Sequence, residues 1–117
     1  MAADVTIYGI KNCDTMKKAR TWLDTRGIAY RFHDYKTDSI DRATLEGWEN
    51  RVGWQVLLNR AGTTFRKLPD DAKEGLDGPR AIALMLEQPS MIKRPVLAVG
   101  DTLLVGFKPP DYEAQFA

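Results

Sequence analysis

The chain has 117 residues, 44% hydrophobic and 28% charged, which suits one domain with a buried core. Seventeen basic against sixteen acidic residues leave a formal charge of +1, which gives no support for a large basic face for nucleic acid. No apolar run approaches the ~18 residues of a membrane span, the first residues carry no secretory apolar stretch, and a lone cysteine fits a reducing compartment. The expectation is a cytoplasmic monomer with neither nucleic acid nor membrane as partner.

In chain order, Val5 to Gly9 predicts a short buried strand, with Gly9 letting the chain turn. Asp14 to Arg26 predicts a helix whose apolar stripe is Met16, Ala19, Trp22 and Leu23, stopped at Arg26-Gly27. Ala29 to Tyr35 predicts a second strand, Tyr30, Phe32 and Asp34 alternating with Arg31, His33 and Tyr35. A helix of this length between two strands implies a right-handed crossover and a parallel pair. After a polar approach from Lys36 to Ser39, Asp41 is a candidate cap for a helix through about Val52, with Leu45, Trp48 and Val52 on one face. Trp54 to Leu58 predicts a second short helix, Asn59 to Lys67 a polar, basic loop, and Pro69 the start of another helix. Gly78-Pro79 reads as a break before a helix from Arg80 to Glu87. Pro95 to Val99 and Leu103 to Gly106 form a hairpin about Gly100-Asp101, and Asp111 to Phe116 a last short helix. His33 is expected at the surface, and Trp22, Trp48 and Trp54 in the core.

Cys13 falls between the first strand and the first turn of the first helix. There, unpaired backbone N–H groups and the positive end of the helix dipole favour an anion, so the thiol pKa falls and the reactive thiolate is populated. Lys11, Lys17 and Lys18 are expected to add positive charge, and the immediate neighbours Asn12, Asp14 and Thr15 are polar. With no second cysteine, an internal disulfide and a cysteine-rich metal site are both excluded, and any resolving thiol comes from outside. A reactive cysteine after the first strand, in this order of elements, is the thioredoxin arrangement. The expected fold is therefore α/β, a thioredoxin-like mixed sheet (β-α-β, then β-β-α) with an all-helical insertion. It is one domain, 1–117, with a core of about 1–38 and 88–117 and an insertion of about 39–87.

The run Tyr8-Gly9-Ile10-Lys11-Asn12-Cys13-Asp14-Thr15-Met16-Lys17-Lys18-Ala19, with Asn59-Arg60-Ala61-Gly62-Thr63 and Lys93-Arg94-Pro95-Val96, resembles the ArsC/Spx family, and most its YffB-type branch of small bacterial proteins. That family contains glutaredoxin-linked arsenate reductases and the Spx transcription regulators. The resemblance implies that Cys13 is the nucleophile, that Arg60 and Arg94 bind an anion through their planar donor forks, and that Pro95 is cis beside the thiol. A third arginine of the arsenate reductases is matched by Lys108, in Gly106-Phe107-Lys108-Pro109, which keeps the charge and loses the fork. The second cysteine of many Spx proteins is matched by Met16. The function expected from this is a thiol reductase with no bound cofactor or metal. Glutathione is its co-substrate, held by Lys11, Asn12, Arg60 and Arg94, and glutathione or glutaredoxin resolves the adduct. The alternatives are a regulator docking on RNA polymerase and a true glutaredoxin-dependent arsenate reductase.

Overall fold

A glycine followed seven residues later by a methionine decides how the first strand meets the first helix. In the computed structural model, which describes residues 4–11 and 13–116, strand β1 runs Val5–Gly9 and helix α1 Asp14–Thr25. A Cβ at Gly9 would collide with the Met16 thioether sulfur and lie 2.8 Å from its methyl carbon. Gly9 is thus needed for close approach to the helix, and its φ is not in the left-handed region; the expected turning role is not what the residue does. Gly27 does use such a φ, +68°. Its N–H donates to the Asp24 carbonyl, and that of Ile28 to the Leu23 carbonyl, which closes the end of α1.

The chain divides into two compact units, residues 1–38 with 94–117, and 39–93. In the first, β1 lies between β2 (Arg31–Asp34), parallel to it, and β3 (Val96–Val99), antiparallel, with β4 (Thr102–Val105) antiparallel beyond β3. Alternate residues of β1 and β3, Val5, Ile7, Leu97 and Val99, pack with Met16, Ala19 and Leu23 of α1 and with Tyr112 of the last helix, Pro109–Gln115. Each fully buried aliphatic side chain contributes about 1.5–3 kcal/mol. The Trp22 and Phe107 rings meet Tyr112 edge-on at 5.4 and 4.9 Å, a favoured aromatic geometry. This is the mixed sheet that the sequence predicts, with two differences. The second strand ends at Asp34, because the Asp34 carboxylate accepts from Lys36 N–H and turns residues Tyr35–Asp38 into one helical turn, α2. The last helix begins at Pro109, since proline fits a first turn.

The second unit is helical: α3 (Arg42–Val52), α4 (Trp54–Leu57), α5 (Thr63–Arg66), α6 (Asp70–Lys73) and α7 (Gly78–Glu87), then a 3-10 turn, Pro89–Met91. Asp41 caps α3 by accepting from Thr44 N–H at 2.8 Å, as its position predicts. Gly78-Pro79 is no break: Asp77 caps α7 by accepting from Arg80 N–H, and Pro79 occupies the first turn, where its missing N–H leaves no bond unmade. The loop expected from Asn59 to Lys67 contains α5, whose Phe65 is buried. The unit runs on to Lys93 rather than ending at 87. Asn59 N–H donates to the Met91 carbonyl and Lys93 N–H to the Leu57 carbonyl, which ties the segment to α4. Among the described residues no helix is long and apolar enough to cross a membrane.

Gly9→Ala should destabilise the protein by about 1–3 kcal/mol, the range for overpacking a filled core, although alanine in a strand is ordinarily favoured over glycine. Urea unfolding monitored by tryptophan fluorescence measures it. Stability equal to or above wild type would show that Met16 repacks without strain.

Candidate active site around Cys13

Cys13 is the N-cap residue of α1, with φ −93° and ψ 131°, and its carbonyl accepts from Lys17 N–H at 3.0 Å. The position usually held by a serine or aspartate oxygen is held by sulfur. The thiol makes no conventional capping bond, yet the backbone N–H groups of Thr15 and Met16 lie close enough to stabilise negative charge on it. Partial burial pushes the thiol pKa up. The N–H groups of Met16 and Thr15, with the charge and hydrogen bond of Arg94, push it down further, and the net value lies below the ordinary one. Cys13 is half-buried, so the sulfur is both activated and reachable.

The cation at the sulfur is Arg94, from the segment leading into β3. Lys11, Lys17 and Lys18, expected to add positive charge near the thiol, are exposed. Charges on solvated stems are screened, whereas Arg94 acts on the sulfur at short range. The Arg94-Pro95 peptide is cis, as the resemblance implies. Pro95 is buried, and its carbonyl accepts from Gly106 N–H at 2.8 Å within the hairpin.

The remaining candidates are placed as follows. Asn12 lies outside the described residues. Arg60 belongs to the helical unit, exposed, with its guanidinium carbon 5.8 Å from the centre of the Trp54 ring. Lys108 is the exposed N-cap of the last helix, and its carbonyl accepts from Asp111 and Tyr112 N–H. Its neighbours Phe107 and Pro109 line a groove with Lys17, Lys18, Trp22 and Arg26 along α1.

One buried residue on which the Arg94 charge acts was not among the sequence candidates. Tyr35 was expected to alternate outward at the end of the second strand; instead it opens α2 and is 3% exposed. Its ring is 6.4 Å from that of His33, which in turn is 4.9 Å from that of Tyr8. Burial holds the Tyr35 phenol far above its ordinary pKa, the nearby Tyr8 acts in the same sense, and Arg94 acts against them. The legible signal was the turn-forming Asp34, with Thr37 and Asp38, which ends the strand one residue earlier.

The family profile described as "ArsC family" matches residues 8–115. A solved structure named YFFB protein is 62% identical, with 97% of this chain and 99% of that one covered and a TM-score of 0.95. An arsenate reductase (ArsC) related protein from Brucella melitensis is 61% identical, covering 97% and 94%, with a TM-score of 0.78. The global transcriptional regulator Spx of Streptococcus mutans is 26% identical over 94% of this chain and 81% of its own length.

The rate of Cys13 alkylation by iodoacetamide should show a midpoint pH below the free-cysteine value of about 8.5, and Arg94→Gln should move that midpoint upward. A midpoint unchanged by the substitution would remove Arg94 from the thiolate. The lowered folded pKa has a further consequence, since the folded state holds this proton less tightly than the unfolded chain. The resulting stabilisation is complete above the unfolded value of about 8.5 and is lost as pH falls through the lowered folded value. The stability difference between wild type and Cys13→Ser should therefore grow as pH rises through that window. A difference independent of pH in chemical denaturation would contradict it.

Proposed function

This chain belongs to the ArsC family, and from that premise we propose that it is a glutathione-dependent thiol reductase. The observation that carries the reading is the single, half-exposed thiol at the N-cap of α1, with Arg94 bonded to it. In the proposed reaction the Cys13 thiolate attacks a disulfide that contains glutathione. A new S–S bond forms to Cys13, the old one breaks, and the leaving thiol departs with the electron pair. As Cys13 is the only cysteine, a second glutathione, or glutaredoxin, completes the cycle by the same exchange at the adduct. Arg94 stabilises the thiolate before attack and again as leaving group. Arg94 and Lys11 are proposed to hold the carboxylates of glutathione and Asn12 to donate to the bound anion, with Pro95 shaping the floor of the site. The protein would act as a monomer in a reducing bacterial cytoplasm, where an unpaired thiol persists.

Two other readings have specific support. Arsenate reduction is suggested by the naming of the Brucella melitensis relative. Lys108 argues against it as the main activity, because a point charge orients an oxyanion less tightly than two parallel N–H bonds. A regulator that binds RNA polymerase is suggested by the Spx relatives. With one cysteine, such a protein would lack an intramolecular disulfide switch, and a pull-down with RNA polymerase tests the docking.

Turnover of hydroxyethyl disulfide with glutathione, coupled to NADPH oxidation by glutathione reductase, should be measurable for wild type and fall to background for Cys13→Ser. Intact mass after incubation with glutathione disulfide should show one adduct on the wild type and none on the variant. An adduct on the serine variant, or no glutathione-dependent turnover in the wild type, would reject the reading. Arsenate should be the poorer substrate, and Lys108→Arg should raise its turnover; equal rates for the two proteins would show that the missing fork is irrelevant.

A further inference from the structure

One strip of α1 and its C-cap, from Lys17 and Lys18 through Trp22 to Arg26, lines an open groove of about 500 Å³ with Phe107 and Pro109. Trp22 and Phe107 are half-buried, and both rings stand edge-on to the fully buried Tyr112, at 5.4 and 4.9 Å. The floor is thus apolar and held from below. The Arg26 guanidinium carbon lies 3.8 Å from the centre of the Trp22 ring, and one of its nitrogens lies 3.3 Å from a Glu113 carboxylate oxygen. This stack closes the end of the groove away from Cys13.

Lys17, Lys18 and Arg26 rim the floor, and no carboxylate lines it. Among the described residues Lys17 and Lys18 are exposed and in no ion pair. On a chain of net charge +1 these cations are a local concentration of positive charge rather than part of a generally basic surface. An apolar floor with cations along its rim is complementary to a polypeptide in which apolar residues and carboxylates alternate. It does not suit a small oxyanion: the guanidinium fork is already engaged by Glu113, and ammonium groups on flexible stems are point charges that fix no orientation.

The groove starts one helical turn from the nucleophile. At a rise of about 1.5 Å per residue, Lys17 lies about 6 Å and Arg26 about 20 Å along the axis from Cys13. An extended chain advances about 3.3 Å per residue, so residues about two to six positions from a reacting cysteine lie over the groove. On the proposed thiol-exchange function, from which this inference proceeds, we propose that the groove docks an acidic, apolar segment of a protein substrate beside a cysteine that carries glutathione. The Cys13 thiolate attacks the glutathione sulfur. The bond from Cys13 to glutathione forms, the bond from glutathione to the substrate cysteine breaks, and the substrate thiolate leaves with the electron pair. A second glutathione thiolate then attacks the adduct, forms glutathione disulfide and frees the Cys13 thiolate.

The probes are synthetic peptides with one glutathionylated cysteine and about six residues on either side, the reach of an extended chain over the groove, alternating leucine with glutamate, glutamine or lysine. At low ionic strength kcat/KM for deglutathionylation should be about tenfold higher for the glutamate than for the glutamine peptide, as expected of a few exposed ion pairs together. The ratio should shrink toward one in high salt. Taking the ratio within each protein cancels any effect of a substitution on the sulfur. Lys17→Gln with Lys18→Gln should bring it near one, and Lys17→Glu with Lys18→Glu should make the lysine peptide the preferred substrate. Arg31→Gln with Lys36→Gln removes the same charge from exposed positions outside the groove and should leave the ratio unaltered. Equal rates for the glutamate and glutamine peptides with wild type, or an equal loss of preference in the two glutamine double variants, overturn the inference.

A second measurement needs no exchange. The glutamate peptide with serine for cysteine should shift the amide resonances of Lys17, Lys18, Thr21 and Thr25 and the Trp22 indole resonance of 15N-labelled protein. No shift, or shifts confined to other residues, overturns the docking even where exchange is seen. Shifts at these residues on raising the protein concentration alone assign the groove to a second copy of the chain and overturn it too. Wild type that turns over neither hydroxyethyl disulfide nor any peptide rejects the thiol-exchange reading, and the resonance shifts then decide the docking by themselves.

Discussion

With only a hydrogen at Gly9, the Met16 thioether lies directly against the end of β1, and the first turn of α1 is held at the sheet. Everything chemical in the first unit depends on that contact. It fixes the start of the helix, the start of the helix makes Cys13 the N-cap, and the N-cap position brings the Thr15 and Met16 N–H groups to the sulfur. Met16 is therefore both part of the core, through its side chain, and part of the site, through its backbone. The same position is where the resemblance to Spx proteins expects a cysteine. A shorter side chain there would give up the contact with β1 that seats the helix.

The electrostatics of the site are local. A net charge of +1 says little about the potential at the thiol, and the lysines on either side of Cys13 are exposed, where solvent screens their charge. Two backbone N–H dipoles and one arginine outweigh the penalty of partial burial because they act on the sulfur at short range. The arginine arrives from the far end of the sequence. Its place follows from the antiparallel pairing of β1 with β3, which sets Val96 opposite Tyr8 and so carries the Arg94-Pro95 segment to the end of β1 nearest the cysteine.

An arsenate reductase-related protein and transcription regulators are both among the relatives of this chain, and the fold alone does not separate them. The distinction rests on individual side chains. A lone cysteine requires an external resolving thiol, and a lysine in place of an arginine fork weakens planar oxyanion recognition. Both features are the ones on which the proposed exchange with a small external thiol rests.

The sequence alone carried much of this. Alternating apolar residues marked β1 and the hairpin, the helical stripe marked α1, Asp41 marked its helix by the oxygen it offers to Thr44, and Arg26-Gly27 marked a helix end. The N-cap place of Cys13 and its lowered pKa were legible because helix N-termini stabilise anions by local geometry, and the cis Arg94-Pro95 peptide was legible through family resemblance. Local chemistry misled where one residue type serves two purposes. Gly78-Pro79 starts a helix as well as it breaks a chain, and Asp34 ends a strand that side-chain alternation would continue. Only the tertiary structure decided that Gly9 serves close packing rather than turning, that Arg94 acts on the sulfur, and that Tyr35 is buried. Periodicity and capping act between residues a few positions apart, and the chain states them directly. Which cation reaches a thiol depends on strand pairing between segments some ninety residues apart in the chain, and that is settled when the sheet closes.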